Sequence, residues 1–128
     1  MKPENLFLSP ELHITVFDFG LARPLGAPTA AAWIGTPRYA APEQGAAGLR
    51  LTAAADLYSL GVVLLDLLEP RRAAESKEPP DLAPPADAPR AARELIRRLT
   101  AREPLRRPSA EEAAGVLLEL EIGGFATR

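Results

Sequence analysis

Asp56-Leu57-Tyr58-Ser59-Leu60-Gly61-Val62-Val63-Leu64-Leu65-Asp66-Leu67-Leu68 is the stretch that decides the fold. Read from Thr52, it has helix composition and apolar residues on nearly every face, which predicts a buried central helix over 52–68. The apolar run is interrupted by Tyr58, Ser59 and Asp66 and is too short to cross a bilayer. It is expected to be the spine against which everything else packs.

Working outward, the segment before this helix, from Gly20 to Pro42, carries Pro24, Gly26, Pro28, Gly35 and Pro37 without a sustained period. That pattern predicts a long irregular loop. Before it, Leu6-Phe7-Leu8 and Ile14-Thr15-Val16-Phe17 read as two short strands, and the intervening Ser9-Pro10-Glu11-Leu12 turns them into a hairpin. After the helix, Glu69 to Pro89 contains Pro70, Pro79, Pro80, Pro84, Pro85 and Pro89 among mixed charges. Proline removes helix hydrogen bonds, so a linker with little order is expected there. Two amphipathic helices follow. One spans about Arg90 to Leu99 with Leu95, Ile96 and Leu99 on its inner face. The other is capped by Ser109, with Glu112 completing a capping box, and buries Ala113, Val116, Leu117 and Leu120. Gly123-Gly124 is expected to end the ordered part.

Composition narrows the function classes. Of 128 residues 47% are hydrophobic and 25% charged, as in a globular domain, and only 5% are aromatic, so the core must be built from Leu, Val and Ala. A formal charge of -2 with interleaved signs offers no broad positive field, which argues against nucleic acid and membrane surfaces as partners. The chain has no cysteine, which excludes disulfides and thiolate metal sites and suits a reducing, cytoplasmic setting. Its single histidine, His13, cannot form a cluster and reads as a plain strand or turn residue. Met1 to Asn5 has no apolar signal-peptide core.

Four motifs carry chemistry or its support. Lys2-Pro3-Glu4-Asn5 precedes the hairpin and Asp18-Phe19-Gly20 follows it. A lysine, a carboxamide and a carboxylate are the groups phosphoryl transfer needs: the carboxylate and amide oxygens hold magnesium, and the lysine meets charge on the transferred group. Gly35-Thr36-Pro37-Arg38-Tyr39-Ala40-Ala41-Pro42-Glu43 closes the irregular loop, the Asp56 to Val62 stretch opens the buried helix, and Arg107-Pro108-Ser109 precedes the last helix. Any one of these recurs by chance, whereas all four in this order do not.

In that order the motifs resemble the C-lobe of eukaryotic-type serine/threonine protein kinases, from the catalytic-loop lysine to the last lobe helix. The resemblance implies a mainly α, α+β kinase-like fold: a partial C-lobe with a small β-hairpin, an activation segment and helices F, H and I. Residues 1–122 would form this partial domain, with 69–89 a proline-rich linker replacing or shortening the docking-helix region and 123–128 a tail. It implies ATP and Mg²⁺ as cofactors and a protein substrate. Asn5 and Asp18 would be magnesium ligands, Lys2 would contact the transferred phosphate, and Phe19 and Gly20 would complete the nucleotide site. Thr36 looks like serine/threonine specificity. Glu43 would form a buried bidentate ion pair with Arg107, and Asp56 would accept hydrogen bonds from the catalytic-loop backbone, or serve simply as a helix N-terminal acid. Thr29 is the candidate regulatory phosphosite.

The departures matter as much. In the family pattern Met1 takes the apolar position that follows the catalytic base, and the 128 residues contain no glycine-rich loop and no ATP-anchoring strand lysine. The expectation is a truncated kinase missing its N-lobe and inactive alone; the alternative is a non-catalytic kinase-like binding module. Tyr39 to Gln44 and Leu57 to Pro70 look most like the kinases of translation initiation factor 2 alpha, which would make that factor the substrate; bacterial-type kinases share the Pro42-Glu43-Gln44 ending.

Overall fold

The computed structural model describes residues 2–17, 37–45, 52–75 and 82–126. Its centre is α1 (Ala54–Leu68), in which Ala55, Tyr58, Ser59, Gly61, Val62, Val63, Leu65 and Asp66 are buried. Ala53, the residue before its first turn, offers no side-chain cap; Asp56 in the first turn supplies negative charge where the helix dipole favours it. Leu67 and Leu68 at the far end are exposed, so the burial of α1 fades over its last turn.

Two further helices close the core. α3 (Arg90–Leu99) lays Leu95, Ile96 and Leu99 inward, and α4 (Ala110–Ala126) adds Ala113. Leu57, Leu60 and Leu64 of α1 and Val116 and Leu117 of α4 pack around Leu95, Leu99 and Ala113. The α1–α3 approach is unusually close at Gly61, where an added Cβ would lie 2.8 Å from both Leu99 Cβ and Thr100 Cγ2. Only a residue without a side chain fits at that crossing. A second cluster, Ala41, Ala55, Tyr58 and Val62 with Tyr39 and Leu82, fills the other side of α1.

β1 (Leu6–Leu8) and β2 (Ile14–Val16) form an antiparallel hairpin in the register Leu6 to Val16 and Leu8 to Ile14. Its turn is closed by Ser9 and His13, and Leu12 supplies the left-handed residue at φ 65°. His13 is an exposed turn residue, with its N–H on Ser9 Oγ at 3.2 Å. Phe7 and Phe17 meet edge to face across the sheet, ring centres 6.3 Å apart, yet both remain about half exposed.

Two expectations are corrected. The 69–89 segment is not uniformly without order: Pro70–Glu75 forms α2, Leu82 packs on the second cluster and Pro84 is buried. Proline breaks a helix from inside but suits its first position, where its missing N–H has no partner to lose, and Pro70 stands there. Nor does the last helix stop before Gly123-Gly124, for α4 continues to Ala126. Glycine lowers helix propensity by about 1 kcal/mol relative to alanine but neither blocks a bond nor clashes, and no proline follows to end the helix.

Candidate functional site

The hairpin sets the first part of the site. Pro3–Asn5 is a single 3-10 turn in which Asn5 donates its N–H to the Lys2 carbonyl at 3.0 Å. The Asn5 carbonyl in turn accepts the N–H of Phe17 at 2.7 Å. Asn5 thus sits beside the backbone of Phe17, with Lys2 one 3-10 turn before it, and both are partly buried. Among the described residues no group of three His, Cys, Asp or Glu side chains could hold a metal ion. Asp18, Phe19, Gly20, Thr29 and Thr36 lie outside the described residues.

The second part is the 37–45 segment, two short 3-10 turns (Pro37–Tyr39 and Pro42–Gly45) held to the helices by two ion pairs. Arg107 Nη1 and Nη2 donate to Glu43 Oε1 and Oε2 at 2.6 and 2.8 Å, a bidentate contact between buried side chains. The same guanidinium donates to the carbonyls of Ala54 and Ala101, each at 2.8 Å, and lies 5.1 Å from the centre of the Tyr58 ring. It joins the segment, the start of α1 and the turn after α3. With its donors satisfied and an aromatic face beside it, the buried charge is well compensated.

The other pair was not legible in the sequence. Arg38, buried at the end of the loop, donates through Nε and Nη2 to Asp66 of α1, the Nε bond measuring 3.1 Å. Tyr39 donates its hydroxyl to Asp66 Oδ2 at 2.8 Å, and its carbonyl accepts the Ser59 hydroxyl at 2.8 Å. Burial and the donated bond to Asp66 push the Tyr39 phenol up to about 12, and Asp66 also raises Arg38. Burial raises Tyr58 as well, against the opposing pull of Arg107. The signal that could have revealed this pair is Asp66 itself, an acid set in an apolar helix. Asp56, by contrast, is an exposed residue of the first turn of α1.

The protein kinase domain model matches residues 1–116, and the chain belongs to the protein kinase family. It is 47% identical over 81 residues to the "Probable serine/threonine-protein kinase PBL3" of Arabidopsis thaliana, which is 60% of this chain and 19% of that protein. To the "Probable serine/threonine-protein kinase PBL2" of the same plant it is 47% identical over 79 residues, 59% of this chain and 18% of the relative. To "Receptor-like kinase TMK2", also from Arabidopsis thaliana, it is 43% identical over 89 residues, 65% of this chain and 10% of the relative. The chain therefore spans under a fifth of these relatives' lengths. Among the described residues no helix is long and apolar enough to cross a membrane.

Proposed function

We propose that these residues are the C-lobe portion of a serine/threonine protein kinase that transfers the ATP γ-phosphate to a protein hydroxyl. The carrying observation is the hairpin that sets Asn5 against the backbone leading into Asp18, while Glu43 and Arg107 anchor the segment following Thr36. Bound magnesium and ATP would supply the electrophilic phosphorus. The chain's own part is to hold them with the Asn5 amide and the Asp18 carboxylate, to meet developing charge with Lys2, and to seat the substrate segment at Thr36. The 128 residues do not include the base, the glycine-rich loop or the strand lysine, so by themselves they are proposed to be inactive. Within the family, the reading toward kinases of translation initiation factor 2 alpha, acting in the cytoplasm, rests on Tyr39 to Gln44 and Leu57 to Pro70 alone, and the plant relatives add no support for it.

A second reading, a non-catalytic module that docks a partner, is favoured by the hairpin, where Phe7, Leu8, Ile14 and Phe17 are each more than half exposed. The two separate in one experiment. The chain is joined behind the preceding half of a related kinase domain and supplied with radiolabelled ATP, magnesium and a generic serine/threonine protein substrate. Label on protein hydroxyls, reduced at least about a hundredfold by Asp18→Ala and by Asn5→Ala, is the expected result. A folded fusion without transfer, or transfer indifferent to Asp18→Ala, would sink the catalytic reading in favour of the module.

A further inference from the structure

The proposed chemistry gives no role to Asp66, a buried acid near the C-terminal end of α1. Its carboxylate takes three bonds, all from the single turn Pro37–Tyr39. Arg38 donates to Oδ2 through Nε at 3.1 Å and to Oδ1 through Nη2, and Tyr39 donates its hydroxyl to Oδ2 at 2.8 Å. Ser59, seven residues earlier and so on the same side of the helix, donates its hydroxyl to the Tyr39 carbonyl at 2.8 Å. The turn is therefore gripped by its side chains and by its backbone, at two levels of α1. The contact of Arg107 with Glu43 holds the other end of the same segment.

Stability alone does not account for these residues. Two charges taken out of water lose hydration that their attraction roughly repays, and apolar residues of similar volume often hold a buried site as firmly. An apolar contact would suit a helix that already buries Val62, Val63 and Leu65. What it would not supply is direction: guanidinium and carboxylate meet at two points and fix the rotation of the turn as well as its distance. The turn follows Thr36 directly in sequence, where the proposed function seats the substrate. We propose that Asp66 is a positioning residue for the protein substrate, holding Pro37–Tyr39 through Arg38 and Tyr39 so that the seat is formed before the substrate arrives. The inference rests on the kinase reading and deepens it. Arg38 and Asp66, 6% and 8% exposed, are buried against each other, so their part is to hold the turn and not to touch the substrate. A seat already formed is bound without the entropy loss of ordering it, so removing the pair should act on substrate affinity and not on the chemical step.

The test uses the whole chain joined behind the preceding half of a related kinase domain. The generic protein substrate is varied at saturating magnesium and ATP, and ATP is then varied at saturating substrate. Asp66→Asn strands the Arg38 charge and can unfold the chain, so the deciding variant is Arg38→Met with Asp66→Leu, which removes both charges together. Its urea midpoint and circular dichroism are expected to match those of the unaltered fusion. Its KM for the protein substrate is expected to rise at least about tenfold, with kcat and the KM for ATP within about twofold. An unchanged substrate KM, a fall in kcat in its place, or a KM for ATP that rises equally would overturn the positioning role. A double variant that no longer folds would make the pair structural and overturn it as well. An unaltered fusion that transfers no phosphate sinks the kinase reading and this inference with it, whereas transfer with an unmoved substrate KM sinks the inference alone.

Discussion

Arg107 and Glu43 stabilise each other only as a pair. Removing the arginine strands a carboxylate that is 5% exposed, so Arg107→Ala is expected to cost about 3–5 kcal/mol in urea unfolding. Joining it to Glu43→Leu should recover much of that loss, because the second change removes the stranded charge, and the recovery is the measure of coupling between the two sites. A second residue-scale prediction concerns pH. The chain has two tyrosines and both phenols are raised, Tyr39 to about 12. The unfolded chain releases its phenolic protons near pH 10, whereas the folded one holds them longer. Above about pH 10 the unfolded state therefore binds fewer protons, and stability present up to that point is expected to fall as pH rises toward 12. Urea midpoints measured across that range should decline, and Tyr39→Phe should flatten the decline while Tyr58 leaves a remainder. What was legible at this scale was the partner of Glu43, through resemblance. The partner of Asp66 was not, because nothing in a linear sequence shows which distant arginine will reach an acid in an apolar helix.

Among the elements, α3 and α4 were readable from helical periodicity, α1 from an apolar run on nearly every face, and the hairpin from two short strand-like runs about a proline-containing turn. The Ser109–Glu112 capping box forms in both directions: Ser109 donates its N–H to Glu112 at 2.7 Å and its hydroxyl accepts the Glu112 N–H at 3.1 Å. Ser109→Ala is expected to lower stability by about 1 kcal/mol, read as a lower thermal midpoint with unchanged native circular dichroism. What misled was treating proline and glycine as absolute punctuation. Pro70 begins a helix and Gly123 lies within one, because position within the element decides what each residue costs. Gly61 was not singled out at all, since its role lies in the α1–α3 crossing rather than in its own helix. Gly61→Ala should raise the helix propensity of α1 yet destabilise the protein by about 1–3 kcal/mol, as its methyl would enter Leu99 and Thr100. A variant more stable than the original would show that α3 can move away.

Across the whole molecule, stability is unevenly spread. α1 and α3 share the fully buried Val62, Ile96 and Leu99, while every strand residue of the hairpin retains exposure. Native-state hydrogen exchange should find the slowest amides in the middle of α1 and α3 and the fastest in β1 and β2. Uniform protection of hairpin and helices would contradict this. The Arg107–Glu43 contact has a further consequence, in time rather than in energy. Its partners stand 64 residues apart, and the same guanidinium holds the 37–45 segment and the start of α1 together. A contact closing so long a loop gains nothing until the rest is in place. The pair should therefore set how slowly the folded chain comes apart: Arg107→Ala is expected to speed unfolding and leave the folding rate nearly untouched.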